Sequence, residues 1–160
     1  MRTALLPDAL LASAAALALS YAAPRDARIA APAMAVIALL VAAIPWPGVN
    51  DDLAFAGGWI SIILTAACVH LPKGVNKRLS AAIATNGGFW AGLISHVQGG
   101  FPAVAMAMPF LLLVIGGQYL VGRKWGIAVK VAASWLMAIS ALEIGLMFVP
   151  TPGYAPDHMD

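Results

Sequence analysis

Charge is scarce in this chain. Asp, Glu, Lys and Arg together make up 10% of its 160 residues, where a soluble domain carries about a quarter. Hydrophobic residues make up 62%. A water-soluble chain of this length has too much surface for its volume to hide that much apolar area, so an ordinary soluble domain is excluded. Cysteine is scarcer still. Cys68 stands alone, which rules out an internal disulfide and any Cys/His metal spacing. It lies in an apolar run and reads as a buried small hydrophobe. The net charge is only +2, and the basic residues fall in short separate clusters, which excludes a nucleic-acid surface. Catalytic signatures are missing as well. There is no nucleophile elbow, no zinc-protease helix, no phosphate loop and no pair of intramembrane aspartates.

What the chain does have is long apolar stretches. A membrane-spanning helix needs roughly 17–25 mostly apolar residues. Proline, glycine and charged breaks divide the sequence into six candidate spans, at about 7–23, 29–44, 53–71, 79–98, 102–121 and 125–149. Pro7 suits a first helical position, Asp8 suits the positive end of the helix dipole, and Pro24 stops the first span. Pro32 falls in the first turn of the second span, which ends in Pro45-Trp46-Pro47-Gly48. Asp51 or Asp52 caps the third span and Pro72 ends it. Gly99-Gly100 separates the fourth span from the fifth, Pro109 kinks the fifth, Gly122 ends it, and Pro150 ends the sixth. The expected fold is therefore an all-α polytopic bundle, a single integral membrane domain over 1–160 with antiparallel sequential helices.

Charge orients it. Arg25 and Arg28 follow the first span, Lys73, Lys77 and Arg78 follow the third, and Arg123 and Lys124 follow the fifth, with Lys130 close by. The alternate connections carry Asp51 and Asp52, then no charge around Gly99, then Asp157 and Asp160 in the tail; Arg2 and Asp26 are the exceptions. Basic loops stay in the cytoplasm, so both termini are expected on the non-cytoplasmic side of a bacterial inner membrane. The first span resembles a signal peptide, with Arg2, an Ala/Leu core and Ser20-Tyr21-Ala22. Cleaving it would reverse the charge pattern, so an uncleaved span is expected. Trp46 and Tyr154 outside, with Tyr21, Tyr119 and Trp125 inside, fit interfacial aromatic belts.

Lipid provides no hydrophobic drive between helices, so small residues that allow close approach matter. Gly57-Gly58, Gly87-Gly88 and Gly116-Gly117 fall within spans, and Gly88 with Gly92 makes a GxxxG pattern. Ordinary helix contact is the expected role. Gly57-Gly58-Trp59 and Gly87-Gly88-Phe89-Trp90 form a faint echo on either side of the central loop, too weak to carry an inverted repeat.

Few polar residues fall inside the spans. Glu143 lies about 9 Å from the outer end of the sixth, at 1.5 Å rise per residue, and intramembrane acids are functional candidates by default. Ser140 is its near neighbour at i−3, and His96 meets it if the fourth and sixth spans touch. Asn86, beside Gly87-Gly88, either binds a ligand or ties helices together, with the tie favoured, and Gln118 reads the same way. Lys130 snorkels to the inner surface. His70 sits at the opposite membrane side from His96, so the two cannot share one haem, which leaves a single-histidine haem or pigment on His70 as the remaining cofactor alternative; none is expected. Asp51 and Asp52 stand as outer-mouth acids.

Three readings follow. The first is a small carrier or channel, proton- or cation-linked, with Glu143, His96, Ser140 and Asn86 on the pathway and homo-oligomeric because six short helices enclose little volume. The second is a non-catalytic assembly subunit of a larger membrane complex, suggested by the scarcity of buried charge and the abundance of Ala and Gly contact surface. An enzyme comes third, because membrane enzymes cluster polar residues in their spans. Lipid and other membrane subunits are the expected partners.

Overall fold

A computed structural model describes residues 6–98 and 100–149. Expectations that rest on Arg2, Gly99, Pro150, Tyr154, Asp157 and Asp160 lie outside the described residues. The remainder is helical. α1 is Leu6–Leu19, α2 is Pro24–Ala43, α3 is Asp51–Ala67 continued by a 3-10 turn at Cys68–His70, and α4 is Lys77–Gln98. α5 (Phe101–Ala107) and α6 (Leu113–Gly122) form one rod joined by a 3-10 segment at Met108–Leu112, and α7 is Gly126–Met147. The chain thus makes six helical rods among the described residues.

Local chemistry accounts for the ends. Pro24 occupies the first turn of α2, where a missing N–H costs nothing. The second rod therefore starts at Pro24 rather than near 29, and Arg25 and Arg28 belong to its first turns instead of a loop. The first rod stops at Leu19 rather than near 23, with Ser20 to Ala22 closing the turn through bonds back to Ala16, Ala18 and Leu19 carbonyls. Asn50, not Asp51 or Asp52, caps α3: its side-chain oxygen accepts the Asp52 N–H at 2.8 Å. Asn76 does the same for α4, accepting the Leu79 N–H at 2.9 Å. Pro109 cannot donate a helical bond, and the rod tightens to 3-10 geometry around it. Gly122 is still helical; the left-handed residue that closes α6 is Lys124, at φ 65°. There the Trp125 N–H reaches back to the Leu120 carbonyl at 2.8 Å.

α1 occupies the centre. It packs against α2, α3, α4, the α5–α6 rod and α7. Ala12, Ala14, Ala15, Ala16 and Ala18 are all fully buried, together with Leu11 and Leu19. A helix that is apolar all round is one surrounded by others, and alanine keeps those others close. α2 lies along α4, α3 contacts α1, α4 and α7, and α6 contacts α1 and α7. The α2–α4 seam is set by glycine. A Cβ on Gly88 would stand 2.8 Å from the Met34 carbonyl oxygen, and one on Gly92 2.5 Å from that of Ala38. The step is four residues on both helices, so α2 and α4 run parallel.

The basic connections gather at one end. The Tyr21 hydroxyl donates to the Gly126 carbonyl at 2.7 Å, and the Val75 N–H donates to the Tyr21 carbonyl at 3.3 Å. These bonds tie together the α1–α2 turn, the α3–α4 loop and the start of α7. Arg25, Arg28, Lys73, Lys77, Arg78, Arg123 and Lys124 all lie on or beside those connections. The opposite end carries Trp46, Asn50, Asp51 and Asp52. Trp46 folds back there, donating to the Val41 carbonyl at 3.0 Å and meeting Phe89 edge to face at 6.0 Å.

Four rods are long and apolar enough to cross a membrane: Pro24–Ala43, Asp51–His70, Phe101–Gly122 and Gly126–Met147. α1 has only 14 residues. α4 has 22 but carries Lys77, Arg78, Asn86 and His96. The outward faces are those of a protein in hydrocarbon, with Ile127 76% and Trp135 70% exposed on α7. The seam makes a direct prediction. Gly88→Leu and Gly92→Leu should each destabilise the bundle by about 1–3 kcal/mol through overpacking, read as a lower Tm in detergent. Gly116→Leu, where an added Cβ meets nothing within 4 Å, should leave Tm unchanged.

Candidate functional site

Asp8 is the most unusual side chain in the bundle. It lies in the first turn of the central helix and is fully buried. Ser95 of α4, also fully buried, donates its hydroxyl to Asp8 Oδ2 at 2.7 Å. Asp8 Oδ1 is buried and has no hydrogen-bond partner among the described residues. A carboxyl group in such surroundings carries a desolvation penalty that one neutral donor does not offset.

The far end of α1 is tied to the basic end through Tyr21, so Asp8 lies toward the opposite, acidic end. Ser95 agrees: it sits three residues from the end of α4, about 5 Å along the axis.

Above Ser95 the acidic end opens into a cleft of about 710 Å³ lined by Asn50, Asp51, Asp52, Phe55, Val97 and Gln98. Because Asn50 supplies the cap, the two aspartates are left to line this mouth, both exposed. Gln98 lies one turn from Ser95 on α4, and its amide nitrogen and oxygen are buried without hydrogen-bond partners among the described residues. The order from outside inward is thus exposed acids, Gln98, Ser95, Asp8.

Deeper in, Asn86 donates to the Ser61 hydroxyl at 2.5 Å, joining α4 to α3. Thr65, one turn on from Ser61, is buried, and its hydroxyl has no hydrogen-bond partner among the described residues. Asn86 is nine residues from Ser95, about 13 Å along α4. These groups extend the polar interior, but Asn86 is tied to a helix rather than facing the cleft.

The other sequence candidates are dispersed. Glu143 is half-buried near the end of α7. α7 packs on α1, α3 and α6, and α4 on α1, α2, α3 and α5, so His96 and Glu143 are not brought together. His96 Nδ1 instead lies 3.3 Å from the Ala42 carbonyl, at the end of α2. Ser140 is fully buried and donates to the Leu136 carbonyl at 2.8 Å, so its proton is not offered to Glu143. His70 is exposed, with Nε2 3.3 Å from the Ser134 hydroxyl where α3 meets α7. Gln118 leaves its amide nitrogen buried and unpartnered among the described residues. Cys68 is half-buried, and its thiol donates to the Leu64 carbonyl at 3.3 Å. No group of three or more His, Cys, Asp or Glu side chains suited to a metal occurs among the described residues.

Asp8 was legible only as a dipole partner beside Pro7, because its donor lies 87 residues away. The available signal was that it is an acid within a candidate span, the same signal that marks Glu143. Comparison with known proteins finds no matching family, no matching curated protein and no matching solved structure.

The Asp8–Ser95 pair is testable by coupling. Ser95→Ala strips the buried carboxyl of its donor and should cost about 1–3 kcal/mol. Combined with Asp8→Ala, the same change should cost almost nothing further. Additive losses in detergent Tm would show that the two side chains do not depend on each other.

Proposed function

We propose that this chain is a six-span membrane carrier or channel that takes up protons from the side of its acidic end, with Asp8 as the proton-binding group. The observation that carries this reading is the fully buried Asp8, one oxygen held by Ser95 and the other unpartnered among the described residues, below an acidic cleft. A metal cation bound there would need several oxygen ligands, whereas a proton needs one. Asp51 and Asp52 raise the local concentration of positive charge at the mouth. Gln98 and Ser95 lead inward by amide and hydroxyl groups that both donate and accept. Asn86, Ser61 and Thr65 continue the polar interior toward the basic end. Glu143, His96 and Ser140 stand on other contacts and serve this reading only as secondary candidates.

In this proposal all six rods cross. α1 is largely covered by the other rods, so it crosses at the centre of the bundle rather than against lipid. α4 turns its polar residues inward. The basic end faces the cytoplasm by the lysine and arginine rule, which leaves both termini outside, in a bacterial inner membrane. A second copy beside the α6–α7 face makes the carrier a homo-oligomer.

Two measurements decide. In proteoliposomes loaded with a pH-sensitive dye, the wild type should acidify under an imposed proton gradient. Asp8→Asn should lower that rate at least tenfold with the fold retained, and Glu143→Gln should lower it far less. Unchanged acidification in Asp8→Asn, or none in the wild type, overturns the reading. A heteromeric complex in native mass spectra, with no proton flux, would favour the assembly-subunit alternative. For orientation, a phosphatase that works only outside the cytoplasm, fused after Asp160, should be active; a fluorescent protein fused there and shining in the cytosol would reverse the topology.

A further inference from the structure

The parallel pair α2 and α4 begins at the basic end, and there the seam between them opens into a groove of about 170 Å³. Ile29, Ala33 and Ile37 of α2 line one wall, spaced along a single helical face, and Ala81 and Ala84 of α4 line the other. Lys77, in the first turn of α4, stands at the mouth with Asp26 of α2. Arg25 and Arg78 are their neighbours in sequence, both exposed. None of these three cations forms an ion pair among the described residues. The first turns of two parallel helices also meet here, and both present the positive end of the peptide dipole.

We propose that this groove seats an acyl chain of one anionic glycerophospholipid, with its phosphate held by Lys77 and flanked by Arg25 and Arg78. The argument is complementarity of both kinds in one ligand. The slot is mostly apolar: its polar members are the hydroxyls of Ser80, which donates to the Asn76 carbonyl, and of Thr85, too few to pair with a peptide backbone. Its mouth is cationic, on the end where a membrane leaflet presents its headgroups. A free phosphate ion would use the mouth and leave the slot empty, while a zwitterionic lipid would fill the slot and gain little at the mouth. Asp26 opposes the phosphate, so it tunes the affinity downward. This inference depends on the chain lying in lipid, and not on what Asp8 binds.

The test uses the whole protein in mild detergent, observed by native mass spectrometry. It is titrated with phosphatidylglycerol, with phosphatidylcholine of the same acyl chains, and with soluble glycerol phosphate. One phosphatidylglycerol should bind at least tenfold more tightly than phosphatidylcholine. Lys77→Gln should remove that preference. Ala81→Phe, at an exposed position on the groove wall, should block the slot and abolish tight binding of the first lipid at an unchanged Tm. Asp26→Asn should tighten it several-fold. Equal binding of the two lipids overturns the proposal, as does wild-type retention in Ala81→Phe, or competition by glycerol phosphate as effective as by the lipid. Should Ala81→Phe unfold, the surface variant Lys77→Gln decides alone.

Discussion

Contact between helix backbones at glycine and alanine is the interaction on which this bundle depends. Hydrocarbon is as apolar as a leucine side chain, so helices in it gain nothing merely by hiding apolar surface from each other. They gain by dispersion, and dispersion falls off steeply with distance. Gly88 and Gly92 bring α4 onto the carbonyls of Met34 and Ala38, while Gly57 receives the Trp90 ring and Gly58 the Ile94 side chain. At the centre, fully buried alanines on α1 let several helices approach one axis. Bulk at any of these positions would push the rods apart and loosen everything that the close packing holds, including the Asp8–Ser95 bond.

The number of rods was readable because proline, glycine and charge interrupt apolar runs wherever the chain turns. Pro72, Pro45-Trp46-Pro47-Gly48 and the Arg123-Lys124 pair all marked real breaks. The errors in position have a common origin. Arg25 and Arg28 read as loop residues because charge is unwelcome in a span, yet α2 starts at Pro24 and lets them project from its first turns at the basic end. Ser20 and Tyr21 offered no breaker, so the early end of α1 was invisible. Past Leu19 the chain turns through i−3 bonds at Tyr21 and Ala22, and the Tyr21 hydroxyl is bound to Gly126, 105 residues on. Packing partners were invisible for the same reason. Apolar periodicity reports that a face is covered, but in a chain that is 62% hydrophobic nearly every face qualifies. The centrality of α1 and the separation of His96 from Glu143 are properties of helix arrangement, which short antiparallel loops restrict without determining. An amide in mid-span needs partners, and Asn86 finds one in the Ser61 hydroxyl of α3.

The central position of α1 connects architecture to chemistry. Polar groups inside a membrane bundle are tolerated only where protein or water covers them. At the basic end the covering is backbone, through Tyr21 and Val75. Toward the other end Ser95 of α4 reaches Asp8, and there the chain keeps a fully buried carboxyl group whose second oxygen finds no donor among the described residues. An acid in that setting carries a desolvation penalty that a single hydroxyl does not offset.

The two ends of the bundle then do different physical work. The acidic end holds exposed aspartates around an open cleft, on the side of the bundle that carries the buried Asp8. The basic end gathers lysines and arginines beside a mostly apolar groove and ties three connections together by backbone and tyrosine bonds. One rod joins the two ends: α4 is a continuous run of 22 helical residues that carries Lys77 in its first turn and Ser95 in its last, so the groove beside α2 and the donor to Asp8 are built on the same helix.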